Sequence, residues 1–118
     1  MNTPGFIDHC LELLAPNGAP RTRRMFGGHG LWLGDLFVGI VIDDTLYLKA
    51  GDATRAAFEA AGGRPFTPPG RDGLVHSLGF WTVPEEAMES PRELAPWVRR
   101  AVAAAVAARA PRRRSAVR

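Results

Sequence analysis

The chain has a single cysteine, Cys10, in 118 residues. One thiol closes no internal disulfide and completes no multi-cysteine zinc site. A reducing compartment, the cytoplasm, is the expectation. Long apolar runs are also missing. The longest stretch free of Asp, Glu, Lys and Arg is Gly73 to Pro84, twelve residues, against the roughly 20 that a membrane-spanning helix requires. No membrane association is expected. The first residues hold no basic cluster, and Asp8 and Glu12 break their apolar stretch, so they do not read as an export signal. Lysine is nearly absent: of fifteen basic residues, fourteen are arginine and one is Lys49. That skew matches GC-rich coding and carries no functional weight.

What is present is ordinary for one globular domain: 46% hydrophobic and 23% charged residues. A chain of this mass buries about two thirds of its unfolded surface. The formal charge of +3 is unevenly spread. Residues 109–118 hold Arg109, Arg112, Arg113, Arg114 and Arg118 and no acid, whereas the other 108 residues hold ten basic against twelve acidic side chains. The body is slightly acidic and the basicity sits at the end. We therefore expect a domain over residues 1–110 and a disordered, arginine-rich tail over 111–118. Arg112, Arg113 and Arg114 are candidates for weak, non-specific nucleic-acid contact through counterion release. The tail has no aromatics on which bases could stack.

Periodicity locates the elements; no internal repeat interrupts them. Phe6, Ile7, Cys10, Leu11 and Leu14 share one helical face. Thr3 fits the N-cap and Pro4 the first helical position. Pro16-Asn17-Gly18 ends that helix. Arg24 to Leu33 reads as extended but interrupted at Gly27, Gly28 and Gly30, by a β-bulge or by close approach of another backbone. Gly34-Asp35 marks a hairpin, Leu36 to Ile42 a central strand, Asp43-Asp44-Thr45 a second tight turn, and Leu46 to Ala50 a half-buried strand. Strands joined by such short turns form an antiparallel meander. Asp52 reads as the N-cap of a second helix with Thr54, Ala57, Phe58 and Ala61 inward, ended by Gly62-Gly63. Thr67 to Gly73 is a loop, Leu74 to Val83 alternates as a strand, and a short strand near Arg64–Phe66 pairs with it. Pro84-Glu85-Glu86 opens a helical turn with Pro84 in first position. Ser90 and Glu93 form a capping box. Leu94, Trp97, Val98, Ala101, Val102, Ala105 and Val106 then line a long helix, with a kink or a separate first turn expected at Pro96. The fold class is α+β: two layers, an antiparallel sheet of four to five strands with helices mainly on one face.

Chemistry is sparse. The glycine-rich stretch Arg24-Met25-Phe26-Gly27-Gly28-His29-Gly30 invites comparison with a phosphate loop. That mechanism requires a helix whose N-terminus meets the phosphate, and Leu31-Trp32-Leu33 continues as strand instead. The glycines are read as shaping backbone. His9, His29 and His76 lack metal-ligand spacing. Cys10 lies on an apolar helix face, and Ser77 has no nucleophile elbow. The pairs Asp43-Asp44 and Glu85-Glu86 are explained by a turn and a helix start. No catalytic residue, metal or cofactor is expected. Arg21, Arg23 and Arg24 admit two readings: a contact for an acidic protein or a phosphate, or charges that blunt a sheet edge. Trp32, Trp81, Trp97 and Phe80 are most economically core or near-core. If Trp32 or Phe80 faces outward, it marks an interaction surface.

Arg23-Arg24-Met25-Phe26-Gly27-Gly28-His29-Gly30-Leu31 resembles the opening signature of the TfoX (Sxy) N-terminal domain family. Asp43 to Lys49 resembles its D-x-LYLK strand, and Asp52 to Gly62 its D-x-x-T-R-x-x-F-E-A-x-G helix. Pro65-Phe66, Phe80 to Glu86 and Trp97 to Ala101 match later steps in the same order. Each motif is weak alone; their joint order over about residues 5–108 is specific. Arg24, Met25, Phe26, Gly27, Gly28 and Gly30 carry the signature, read as structural. His29 stands where the family has an aromatic residue. The resemblance implies a secretion-chaperone-like α+β domain. It also implies a non-enzymatic part in regulating competence and DNA-uptake genes, where full-length members act with a cyclic-AMP receptor transcription factor. Full-length members carry a second, helical domain, which this sequence does not show. A protein partner bound through the sheet surface or edge, or a homodimer, is the resulting expectation. Nucleic-acid binding through the tail is the alternative.

Overall fold

A computed structural model describes residues 1–25, 27–67 and 79–109. Helix α1 spans Pro4–Leu14. Thr3 caps it, its hydroxyl accepting from the Phe6 amide at 3.3 Å, with Pro4 at the start where a missing donor costs nothing. Strands follow at β1 Pro20–Met25, β2 Gly28–Leu33, β3 Leu36–Ile42 and β4 Thr45–Lys49. Helix α2 (Arg55–Ala60), strand β5 (Phe80–Thr82), a 3-10 turn (Glu85–Glu89) and helix α3 (Pro91–Arg109) complete the order. The five strands form one antiparallel sheet in the order β1-β2-β3-β4-β5. Pro65 bridges to Trp81 beyond β5, with the Phe66 amide donating to the Phe80 carbonyl at 2.7 Å.

The glycine-rich stretch corrects the bulge reading and bears out close backbone approach at Gly28. It is not one bulged strand but a hairpin: Met25 pairs with Gly28, so the chain reverses between them and β2 returns antiparallel to β1. Gly27 takes φ +76°, a conformation cheap only for glycine. A Cβ on Gly28 would lie 2.3 Å from the Val41 carbonyl oxygen, so this residue lets β2 lie close against β3. The bulge is in β3 instead. Leu31 pairs with Gly39 and Trp32 with Phe37, so Val38 is the extra residue. The Asp43-Asp44 turn has φ 49° and 55°, the twist that two-residue hairpins prefer. Its carboxylates tie down the N-terminus. Asp43 meets the Met1 ammonium at 2.5 Å and Asp44 accepts from the Thr3 amide at 2.7 Å.

One apolar cluster lies between the helices and one face of the sheet. Ile7, Cys10, Leu13 and Leu14 of α1, Phe58 of α2, and Leu94, Val98, Ala101 and Ala105 of α3 meet Leu31, Leu33, Val38, Val41, Leu46, Leu48 and Trp81. Several end and face assignments differ from the sequence reading. Leu13 is buried while Phe6 and Leu11 only flank the cluster. Thr54, not Asp52, stands at the start of α2; its hydroxyl accepts from the Gly51 amide at 3.0 Å, and Asp52 makes an exposed pair with Arg55. Pro84 precedes its 3-10 turn rather than opening it. In α3, Ala104 is buried and Val106 is 52% exposed, because the stripe drifts around a straight helix over several turns. Pro96 lies inside α3, which runs as one helix through it. Ser90 caps α3 by accepting from the Glu93 amide at 3.1 Å. Residues 74–78 of the expected strand, the 68–73 loop, Phe26 and the tail lie outside the described residues.

Candidate interaction surface

Alternation along each strand gives the sheet a second face, away from the helices. Cross-strand partners share a face, so the register places Arg21 opposite Trp32 and Trp32 opposite Phe37. It likewise places Ile40 opposite Tyr47, Tyr47 opposite Thr82, and Lys49 opposite Phe80. None of these side chains belongs to the helix-facing cluster. The bulge at Val38 matters here. It lets Phe37 share a face with Trp32 while Gly39, two residues on, lies on the helix side with Leu31 and Leu48.

The aromatic rings form a chain. Trp32 stacks on Phe37 with centroids 4.8 Å apart and planes 27° off parallel. Phe37 meets Phe80 at 5.4 Å. Tyr47 and Phe66 make a separate edge-to-face pair at 5.2 Å. Cations lie over these rings. The guanidiniums of Arg21 and Arg23 sit 5.3 and 5.5 Å from the Trp32 centroid, and the Lys49 ammonium 5.0 Å from that of Phe80. Such contacts hold a cation near apolar surface while leaving its hydrogen-bonding edge available. Arg21 also donates Nε–H to the Gly34 carbonyl at 3.3 Å. Met25 belongs to the same face; a Cβ on Gly30 would meet its sulfur at 2.5 Å. Arg24, one residue out of phase, points to the other face, opposite His29, and is exposed.

Of the sequence candidates, Arg21 and Arg23 are brought together on one indole, and Arg24 is separated from them by the strand's period of two. Trp32 and Phe80 face away from the helices; Trp81 and Trp97 lie on the helix side. The sequence reading missed Lys49 and the Tyr47–Phe66 pair. Their signal was the alternation of Tyr47 and Lys49 with Leu46 and Leu48, read there only as a half-buried strand. Arg112, Arg113 and Arg114 lie outside the described residues.

Groups that could carry covalent chemistry are differently placed. Cys10 is fully buried, and burial pushes its thiol up to about 12; a thiol so protonated is a poor nucleophile. His9 bonds the Met88 carbonyl through Nε2 at 2.8 Å, and His29 Nδ1 meets the Asn2 amide nitrogen at 2.9 Å. Among the described residues, no group of three His, Cys, Asp or Glu side chains is arranged to hold a metal. No helix among them is long and apolar enough to cross a membrane. Two clefts of about 500 and 610 Å³ meet at Thr45 and Arg64. The larger opens beside Tyr47 and Phe66, at the far end of the outer face from β1.

The family comparison agrees with this architecture. No curated protein is found to match the chain. The model of the TfoX N-terminal domain matches residues 12–105, which runs from the last three residues of α1 through most of α3 and includes the whole glycine-rich hairpin. The five-stranded antiparallel sheet, the helices layered on one of its faces and this match together place the chain in the TfoX N-terminal domain family.

Proposed function

We propose that this chain is a non-enzymatic interaction module that helps regulate competence and DNA-uptake genes by binding a protein partner, a transcription factor. The contact is the outer sheet face at Arg21, Arg23 and Trp32. Family membership supports the regulatory setting. The observation that carries the surface is the pair of guanidiniums held over Trp32 on the face away from the helices. Trp and Arg are enriched where interfaces gain most of their energy, since both combine large apolar area with directed polar groups.

The test is affinity capture from a cell lysate with the intact chain and with an Arg21→Glu/Arg23→Glu variant. The proposal expects a specific partner retained by the first and lost by the second, together with lower expression of a competence-gene reporter in cells carrying the variant. Retention of every captured protein by the variant would overturn it.

A second reading, nucleic-acid binding through the tail, rests on the five arginines of residues 109–118. Arg109 is already engaged with Asp35 at 3.0 Å, which leaves Arg112, Arg113, Arg114 and Arg118 to carry it.

A further inference from the structure

Strand β1 is an edge: it pairs with β2 on one side, and among the described residues no strand pairs with its other side. Half of its backbone donors and acceptors therefore point outward, and Arg21, Arg23 and Arg24 are its exposed residues. Such an edge recruits another strand unless something prevents it. Here the side chains select the recruit. Arg21, Arg23 and Arg24 lie within four residues, and none of them is in an ion pair among the described residues. A second copy of this chain is a poor occupant. Pairing β1 with β1 across a two-fold axis sets three arginines against three arginines, and like charges on facing strands destabilise the pair. An acidic strand meets the opposite situation.

We propose that β1 binds an extended acidic segment of a partner protein as an added edge strand, with carboxylates at alternate positions facing Arg21 and Arg23. The inference rests on the interaction-module reading and specifies the partner's chemistry. Three features argue for it. Arg21 and Arg23 are two residues apart, so both project from the same face as every second residue of an added strand. Both guanidiniums are already positioned over Trp32, so less side-chain freedom is lost when a carboxylate arrives. A guanidinium presents a planar fork of donors that matches a carboxylate in two places. Backbone pairing would supply affinity and the alternate carboxylates specificity, as in other strand-addition complexes.

The experiment is an amide NMR titration of the intact chain with an acetylated, amidated peptide of alternating threonine and glutamate, roughly eight residues long, a little above the usual strand length. Two control peptides accompany it: one of the same composition with its glutamates contiguous, and one N-methylated at alternate residues. A thymidine oligonucleotide tests the nucleic-acid alternative. The proposal expects shifts confined to β1 and the facing part of β2, slowed exchange of the outward β1 amides, and weakening of about tenfold or more in Arg21→Glu/Arg23→Glu. Arg21→Gln/Arg23→Gln, which removes charge without reversing it, should fall between, with both variants keeping the parent melting curve. N-methylation should abolish binding. Equal binding of the contiguous-glutamate peptide would overturn the proposal, as would shifts centred elsewhere or binding of the oligonucleotide instead of the peptide at these residues. If the alternating peptide fails while Arg21→Glu/Arg23→Glu still loses a cellular partner, the acidic-strand mode falls and the interaction-module reading stands.

Discussion

Arg21 and Trp32 are direct register partners across the β1–β2 ladder, and the guanidinium lies 5.3 Å from the indole centroid. Arg23, two residues on, reaches the same ring at 5.5 Å. Two cations on one ring repel each other, so the arrangement is not one that stability alone favours.

Trp32 therefore separates stability from binding. It is half-buried, stacked on Phe37 and outside the helix-facing cluster. Trp32→Ala is expected to cost about 1–2 kcal/mol in urea melts, the scale of a lost aromatic pair and two exposed cation–ring contacts. Partner capture should fall far more steeply. A loss above about 4 kcal/mol would mean that the ring is core, which large-to-small core changes cost.

The hairpin glycines should rank by mechanism. Gly28→Ala puts a methyl 2.3 Å from the Val41 carbonyl oxygen and 2.5 Å from Ile42 Cδ1, and backbone cannot yield cheaply. A cost of about 2–4 kcal/mol is expected. Gly27→Ala meets no atom within 4 Å but must hold φ +76°, a strain of about 1–2 kcal/mol. Denaturant melts that reverse this order would contradict the hairpin.

Cys10 makes the stability pH-dependent on the alkaline side. Burial raises its thiol from 9.0 to about 12, with the Asp44 charge a smaller cause. The folded state thus keeps its proton where the unfolded state has released it. The stability so contributed is complete below about pH 9 and is lost as pH rises toward 12. Urea midpoints for the parent should drop across that window more than those of Cys10→Ala. At pH 8, a thiol reagent should label Cys10 only after denaturation; rapid native labelling would contradict the burial.

The tail reading has its own outcome. Deleting residues 111–118 should abolish duplex DNA binding measured by fluorescence anisotropy and flatten its dependence on salt, since the slope counts the phosphates neutralised. Binding that survives the deletion with its slope intact would move the nucleic-acid contact onto the folded body.

Much of the architecture was legible in local residues. Thr3 and Pro4 announce the start of α1, Ser90 the start of α3, and Gly34-Asp35 and Asp43-Asp44 their turns, because caps and tight turns depend on a few neighbouring atoms. The failures were also physical. Gly27-Gly28 serves equally as a bulge or a hairpin turn, and only pairing between Met25 and Gly28 decides which. Val106 continues a perfect stripe, yet by that point α3 has turned it into solvent.

The amino-acid order by itself determined the α+β class, the caps of α1 and α3, the short turns that force antiparallel pairing and the family, since each depends on residue type and spacing along the chain. Tertiary structure alone decided which way the aromatics face. A strand's side chains alternate with period two, so one extra residue exchanges its faces. Val38 is that residue, and its bulge lets Phe37 join Trp32, Arg21 and Arg23 on the outer surface.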